Sequence, residues 1–273
     1  MRLGIFAKTF PGTNPNDVLA QVRAAGFATA QYNMACSGLP AMPDVISAEK
    51  AQAVASAAQA AGIGLCAVSG TYNMAHPDPS VRADGLRRLE VIAAAAGAMG
   101  TTLITLCTGT RDPDDQWRHH PDNATAEAWA DMRAEMEKAV RIAERHSVRL
   151  GIEPELANVV DSAAKARRLI DELRSPALAV VLDPANLFEV TTLEDQRRVV
   201  SYAVDLLADR IVMGHAKDRA ANGDFVTAGT GVLDYAHYLE CLRRVGFDGD
   251  LVTHGLSADE APDVARFLSE LLA

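Results

Sequence analysis

Val180-Val181-Leu182-Asp183-Pro184-Ala185-Asn186 reads as a strand covered on both faces that ends on a carboxylate. Three consecutive branched apolar residues suit such a strand, and Pro184, which has no amide hydrogen, stops the ladder. Taken alone, Asp183 is a turn or cap residue, and Asn186 a cap for the next helix. The arrangement recurs, however. Upstream, Arg149-Leu150-Gly151-Ile152-Glu153-Pro154-Glu155 repeats apolar strand, carboxylate and proline. Downstream, Ile211-Val212-Met213-Gly214-His215-Ala216-Lys217-Asp218 ends a similar run on an imidazole and further charge. Turn chemistry does not account for three successive strands that each deliver a metal-type ligand at one height.

Outward from these strands, short apolar runs alternate with alanine-rich helical patterns. Leu3–Lys8, Ala28–Met34, Gly64–Thr71 and Thr102–Thr110 read as strands before the three above, and Asp250–Gly255 as one after them. The intervening helices are predicted to start near Asn14 or Asn16, then over Ser47–Ala61, Val81–Met99, Ala124–His146, Ser162–Arg174, Leu193–Ala208, Tyr235–Val245 and Pro262–Leu272. In Ala124–His146 the stripe Trp129, Met132, Met136 and Val140 is a core face. Eight βα units in 273 residues predict an α/β fold, one closed (β/α)8 TIM barrel forming a single domain over 1–273. No linker interrupts the chain, and no GxGxxG motif follows the first strand, which argues against a dinucleotide-binding sheet.

The bulk chemistry narrows the partners. With 36 acidic and 26 basic residues the formal charge is −10, which repels nucleic-acid backbones and offers no polybasic membrane patch. A small polar ligand is the expected partner, with no nucleic acid and no membrane; the oligomeric state stays open between a monomer and a homo-oligomer. Cys36, Cys66, Cys107 and Cys241 lack CxxC spacing and read as reduced core residues, which suits the cytoplasm. No apolar run is long enough to cross a bilayer, and no signal-peptide pattern opens the chain.

In such a barrel the chemistry sits on the loops after the strands. The longest, Arg111–Asn123 after strand four, carries Trp117 and the adjacent His119 and His120, and reads equally as a solvated lid or a substrate contact. His76, after strand three, is a weaker candidate. Strand eight, Asp250-Leu251-Val252-Thr253-His254, supplies a fourth ligand-type residue. Glu153, Asp183, His215 and His254 would then ring one quadrant of the barrel mouth and satisfy one divalent cation, leaving positions open for vicinal substrate oxygens. Side chains alternate along a strand, so Glu155 points the same way as Glu153 about 7 Å further out. There it is placed to touch substrate, or to pair with Lys217.

The segments IEPE, LDPAN and HAKD at these strand ends, with Ala228-Gly229-Thr230-Gly231-Val232-Leu233-Asp234-Tyr235 before a helix, resemble the sugar phosphate isomerase/epimerase family of xylose-isomerase-like barrels. In that family a glutamate, an aspartate, a histidine and a final glutamate bind Mn²⁺, Mg²⁺, Co²⁺ or Zn²⁺; the first three map onto Glu153, Asp183 and His215. The chain departs at the fourth, where His254 replaces a glutamate that commonly doubles as base, and at Asp183-x-x-Asn186, where the family has Asp-x-x-His. The resemblance implies a metal-dependent isomerase or epimerase of a small sugar, keto-sugar or sugar phosphate, acting through an enediolate. Catalytic candidates are Glu155, Glu153 and His254, with Asn186, Lys217, Trp117, His120 and Asn158 contacting substrate. The same enolisation also serves a lyase or dehydratase. Endonucleases acting at abasic sites share the barrel, but need more histidines and a cationic groove, and a non-catalytic sugar-binding barrel is the third class.

Overall fold

The computed structural model describes residues 1–273. Eight parallel strands close into a barrel in the order β1 (Arg2–Phe6), β2 (Thr29–Tyr32), β3 (Gly64–Ser69), β4 (Leu103–Cys107), β5 (Arg149–Glu153), β6 (Leu178–Leu182), β7 (Ile211–Ala216) and β10 (Asp250–Thr253), which returns to β1. The helices α1 (Pro15–Ala24), α2 (Ala48–Ala61), α3 (Pro79–Met99), α4 (Ala126–His146), α5 (Ala163–Leu173), α6 (Leu193–Leu207), α7 (Tyr235–Arg244) and α8 (Ala261–Leu272) follow them around the outside. No helix is long and apolar enough to cross a membrane.

The helices start where the sequence places a cap. Asn14, Ser47, Asp78, Thr125, Ser162, Thr192 and Asp234 each accept a hydrogen bond from a backbone amide of the first turn. Trp129, Met132, Met136 and Val140 of α4 are buried against the barrel, as their spacing predicts. The four cysteines are free thiols.

Inside the barrel, Ala67, Leu103, Val181, Met213 and Val252 form a buried apolar plug. Alternation along the strands then puts Asp183, His215 and His254, each two residues further on, directly above the plug on the same inward face. Gly151 belongs to the same interior region without a side chain, and Val181 fills its space: a Cβ there would stand 2.8 Å from Val181 Cγ2 and 3.3 Å from Leu103 Cδ1. Gly151→Ala is therefore expected to lower stability by about 1–3 kcal/mol through overpacking. In chemical denaturation the midpoint should fall at constant slope; an unchanged midpoint would show that the interior yields freely.

Two departures from the sequence reading bear on the site. The stretch after β7 is not a plain loop but an antiparallel hairpin of β8 (Asp218–Arg219) with β9 (Phe225–Val226). The residues after β6 form a single 3-10 turn, Pro184–Asn186, so Asn186 ends that turn instead of capping α6, whose cap is Thr192.

Candidate metal centre

Asp183 does both things that its position allows. Its Oδ1 accepts from Ala185 N at 2.9 Å and caps the turn, while Oδ2 faces His254 Nε2 at 3.2 Å. The cap reading and the ligand reading are thus compatible, each using one oxygen. Leu182 pairs with Gly214 in the sheet, which sets Asp183 beside His215. Glu153 Oε1 lies 3.2 Å from His215 Nδ1. One ligand atom from each of Glu153, Asp183, His215 and His254 falls within 4.8 Å of the others. The imidazoles of His215 and His254 pack with centroids 4.5 Å apart and planes tilted by 58°.

A shell of hydrogen bonds orients these side chains. Gln31 on β2 offers Oε1 to His215 Nε2 at 2.9 Å, and its own amide donates to Thr105 Oγ1 at 3.1 Å. With Nε2 as the donor, His215 keeps the Nδ1 lone pair toward the cluster. Asn186 Nδ2 donates to Glu153 Oε1 at 2.7 Å, and Asn186 Oδ1 accepts from Lys217 Nζ at 2.9 Å. Gln31 carries no ligand-type signal in its sequence, so only the closed barrel reveals its role.

The electrostatics follow from burial and from neighbours. Burial alone would push Glu153 up, but the imidazoles of His215 and His254 hold it below the ordinary value. Burial likewise opposes ionisation of Asp183, and Lys217, His254 and His215 overcome it and keep the carboxyl low. His254 is pushed down by burial and by His215, against the pull of Asp183. Glu155 moves the other way, to about 7, because burial and the charge of Glu153 outweigh the attraction of Lys217. Glu155 forms no ion pair with Lys217, whose carboxylate neighbour is Asp183 Oδ2 at 3.5 Å.

Glu153, Glu155, His215, Lys217 and His254 line a cavity of about 500 Å³ at the carboxyl ends of the strands, shared with Gln31, Cys107, Trp117, Asn186 and Phe225 among others, while Asp183 is fully buried behind its wall. Trp117 reaches it because Asp112 pins the long loop: its carboxylate accepts from Asp114 N, Asp115 N and the Arg118 guanidinium. His120 and Asn158 lie outside the cavity wall. His120 Nδ1 caps the turn Pro121–Ala124, and buried Asn158 accepts from Gly109 N at 2.6 Å, tying the loop after β5 to that after β4. His76 bonds to Pro113 O and Asp78 N, away from the cluster. The glycine loop Gly229-Thr230-Gly231 binds an anion already, since Gly229 N, Gly231 N and Leu233 N all donate to the Asp218 carboxylate. A larger groove of about 700 Å³ between α5 and α6 is lined by arginines paired to carboxylates and brings no ligand-type cluster together.

Among curated proteins no sequence match is found. Solved structures do resemble the chain throughout. The apo form of 3-keto-D-glucoside 4-epimerase from E. coli superposes with a TM-score of 0.77 at 18% identity, covering 99% of both chains. L-ribulose 3-epimerase gives 0.77 at 18% identity over 99% of this chain and 94% of its own. A D-psicose 3-epimerase from Clostridium cellulolyticum H10, solved with D-tagatose, gives 0.76 at 16% identity over 100% and 99%. At such identities the likeness is one of fold. The model of the xylose isomerase-like TIM barrel family matches residues 19–271, and the chain belongs to that family.

Proposed function

We propose that the chain is a divalent-metal-dependent isomerase or epimerase of a small sugar, keto-sugar or sugar phosphate. The observation that carries this reading is the convergence of Glu153, Asp183, His215 and His254 above the barrel plug, with ligand atoms within 4.8 Å of one another. Two carboxylates and two imidazoles make a donor set suited to one divalent cation, and the nitrogens favour Mn²⁺, Co²⁺ or Zn²⁺ over Mg²⁺. When bound, such an ion supplies Lewis-acid polarisation of a carbonyl. The protein supplies the rest. Gln31 and Asn186 hold His215 and Glu153 in orientation, Glu155 takes the carbon-bound proton, and Trp117 covers the sugar. The fold likeness to three proteins named as sugar epimerases supports the substrate class. Four free cysteines suit a reduced, cytoplasmic setting.

Enolisation is tested before any product is known. Incubation of metal-loaded protein in D₂O with a panel of ketoses and keto-sugars is expected to place deuterium on carbon next to the carbonyl. Tight binding without exchange would favour the non-catalytic barrel, and exchange followed by loss of a β-substituent the lyase. Trp117→Ala is expected to weaken the affinity for an active ligand about tenfold, about 1.4 kcal/mol, the scale of one aromatic contact. His120→Ala, outside the cavity, should change it less than about threefold, less than 0.7 kcal/mol. Equal affinities in Trp117→Ala and the parent protein would reduce the loop to a solvated cover.

A further inference from the structure

Lys217 follows His215 by two residues, so its side chain leaves the strand on the same face. It is only 8% exposed, and its Nζ stands 2.9 Å from Asn186 Oδ1, 3.5 Å from Asp183 Oδ2 and 3.6 Å from the centroid of the Phe225 ring. Asn186 cannot turn away, because its amide nitrogen is committed to Glu153. An ammonium buried against a neutral amide and a ring is costly unless an anion joins it. Asp183 is not a dedicated partner, since the proposed metal takes its carboxylate. With a divalent ion balanced by Glu153 and Asp183, the charges left on the cavity wall are Glu155, Lys217 and Lys8. One is negative and two are positive. The Arg219 guanidinium lies close by, 4.0 Å from the same Phe225 ring, with Glu189 as its nearby anion. A neutral sugar offers none of these cations a charge partner.

We infer that the ligand of this site is a keto-sugar acid, with its carboxylate against Lys217 on the carbon next to the oxygens that face the metal cluster. The inference rests on the metal reading above. Its geometry follows from the short distance between Nζ and Asp183, which places any anion held by Lys217 beside the cluster. A phosphate at the far end of a six-carbon chain lies beyond that reach. Phe225, from the hairpin after β7, backs the ammonium and keeps it aimed into the cavity.

The test is calorimetric titration of the 273-residue chain, Mn²⁺-loaded and EDTA-stripped, with 2-keto-D-gluconate, D-fructose and D-fructose 6-phosphate. The loaded protein is expected to prefer 2-keto-D-gluconate over both others by about 10- to 100-fold, the worth of a buried charge-assisted hydrogen bond. Lys217→Met should shrink that preference to about threefold or less, and Lys217→Arg should keep most of it. Thermal melting and metal content of both variants report their folding. Equal affinity of the parent protein for acid and neutral sugar, no measurable binding of the acid, an equal preference for the 6-phosphate, or a preference that survives in Lys217→Met each overturns the inference. Failure of the metal reading has its own signature, an absence of retained Mn²⁺, and the affinity ratio is read separately from it.

Discussion

Glu155→Gln is expected to keep its metal and its ligand affinity and to lose kcat by about two to four orders of magnitude, the usual worth of a general base. The expectation begins at β10. A histidine that gives its lone pair to a metal has none left for a proton, and its other ring nitrogen then carries hydrogen. His254 Nε2 faces Asp183 Oδ2 within the cluster, so under the proposed metal reading His254 would serve as a ligand and be a poor base. Glu153 and Asp183 are equally committed. Glu155 is the carboxylate left on the cavity wall, half-buried and unpaired with Lys217. Its position near 7 reflects burial and the charge of Glu153. A cation in the cluster would neutralise that charge and favour the ionised form that a base requires. Glutamine preserves shape and hydrogen bonding but takes no proton. A Glu155→Gln protein with near-normal kcat would return the role to another group.

The architecture was legible because periodicity and strand-end punctuation agree. Val180–Leu182 is buried on both faces as its branched run predicts, and Pro184 ends it. The four ligand-type residues were legible for a related reason. Each stands at or just beyond the end of an inward-facing strand, and β5, β6, β7 and β10 are successive neighbours in the closed sheet. What stayed hidden depends on contacts between loops distant in sequence. Gln31 meets His215 across 184 residues, and nothing local marks it. Asn158 carries an amide in a loop beside the site, yet the left-handed turn at Gly109 claims it inward. Trp117 and His120 lie three residues apart in one loop and read alike. The Asp112–Arg118 pairing turns the indole to the cavity and leaves the imidazole as a cap.

The largest effect is expected at the cluster itself. His215 is buried, its Nε2 is held by Gln31, and its Nδ1 faces Glu153. Loss of hydrogen-bonded support alone typically weakens a metal site about 10- to 100-fold, and loss of a ligand should exceed that. Alanine also leaves Glu153 and Asp183 buried with one cationic or polar partner fewer, which favours their protonation over metal binding. The most direct measurement is elemental analysis of the parent protein and His215→Ala after loading with Mn²⁺ and gel filtration, with circular dichroism to show that both are folded. The parent should retain close to one divalent ion per chain and folded His215→Ala almost none. Equal metal content in the two proteins, or none in the parent, would contradict the metal centre.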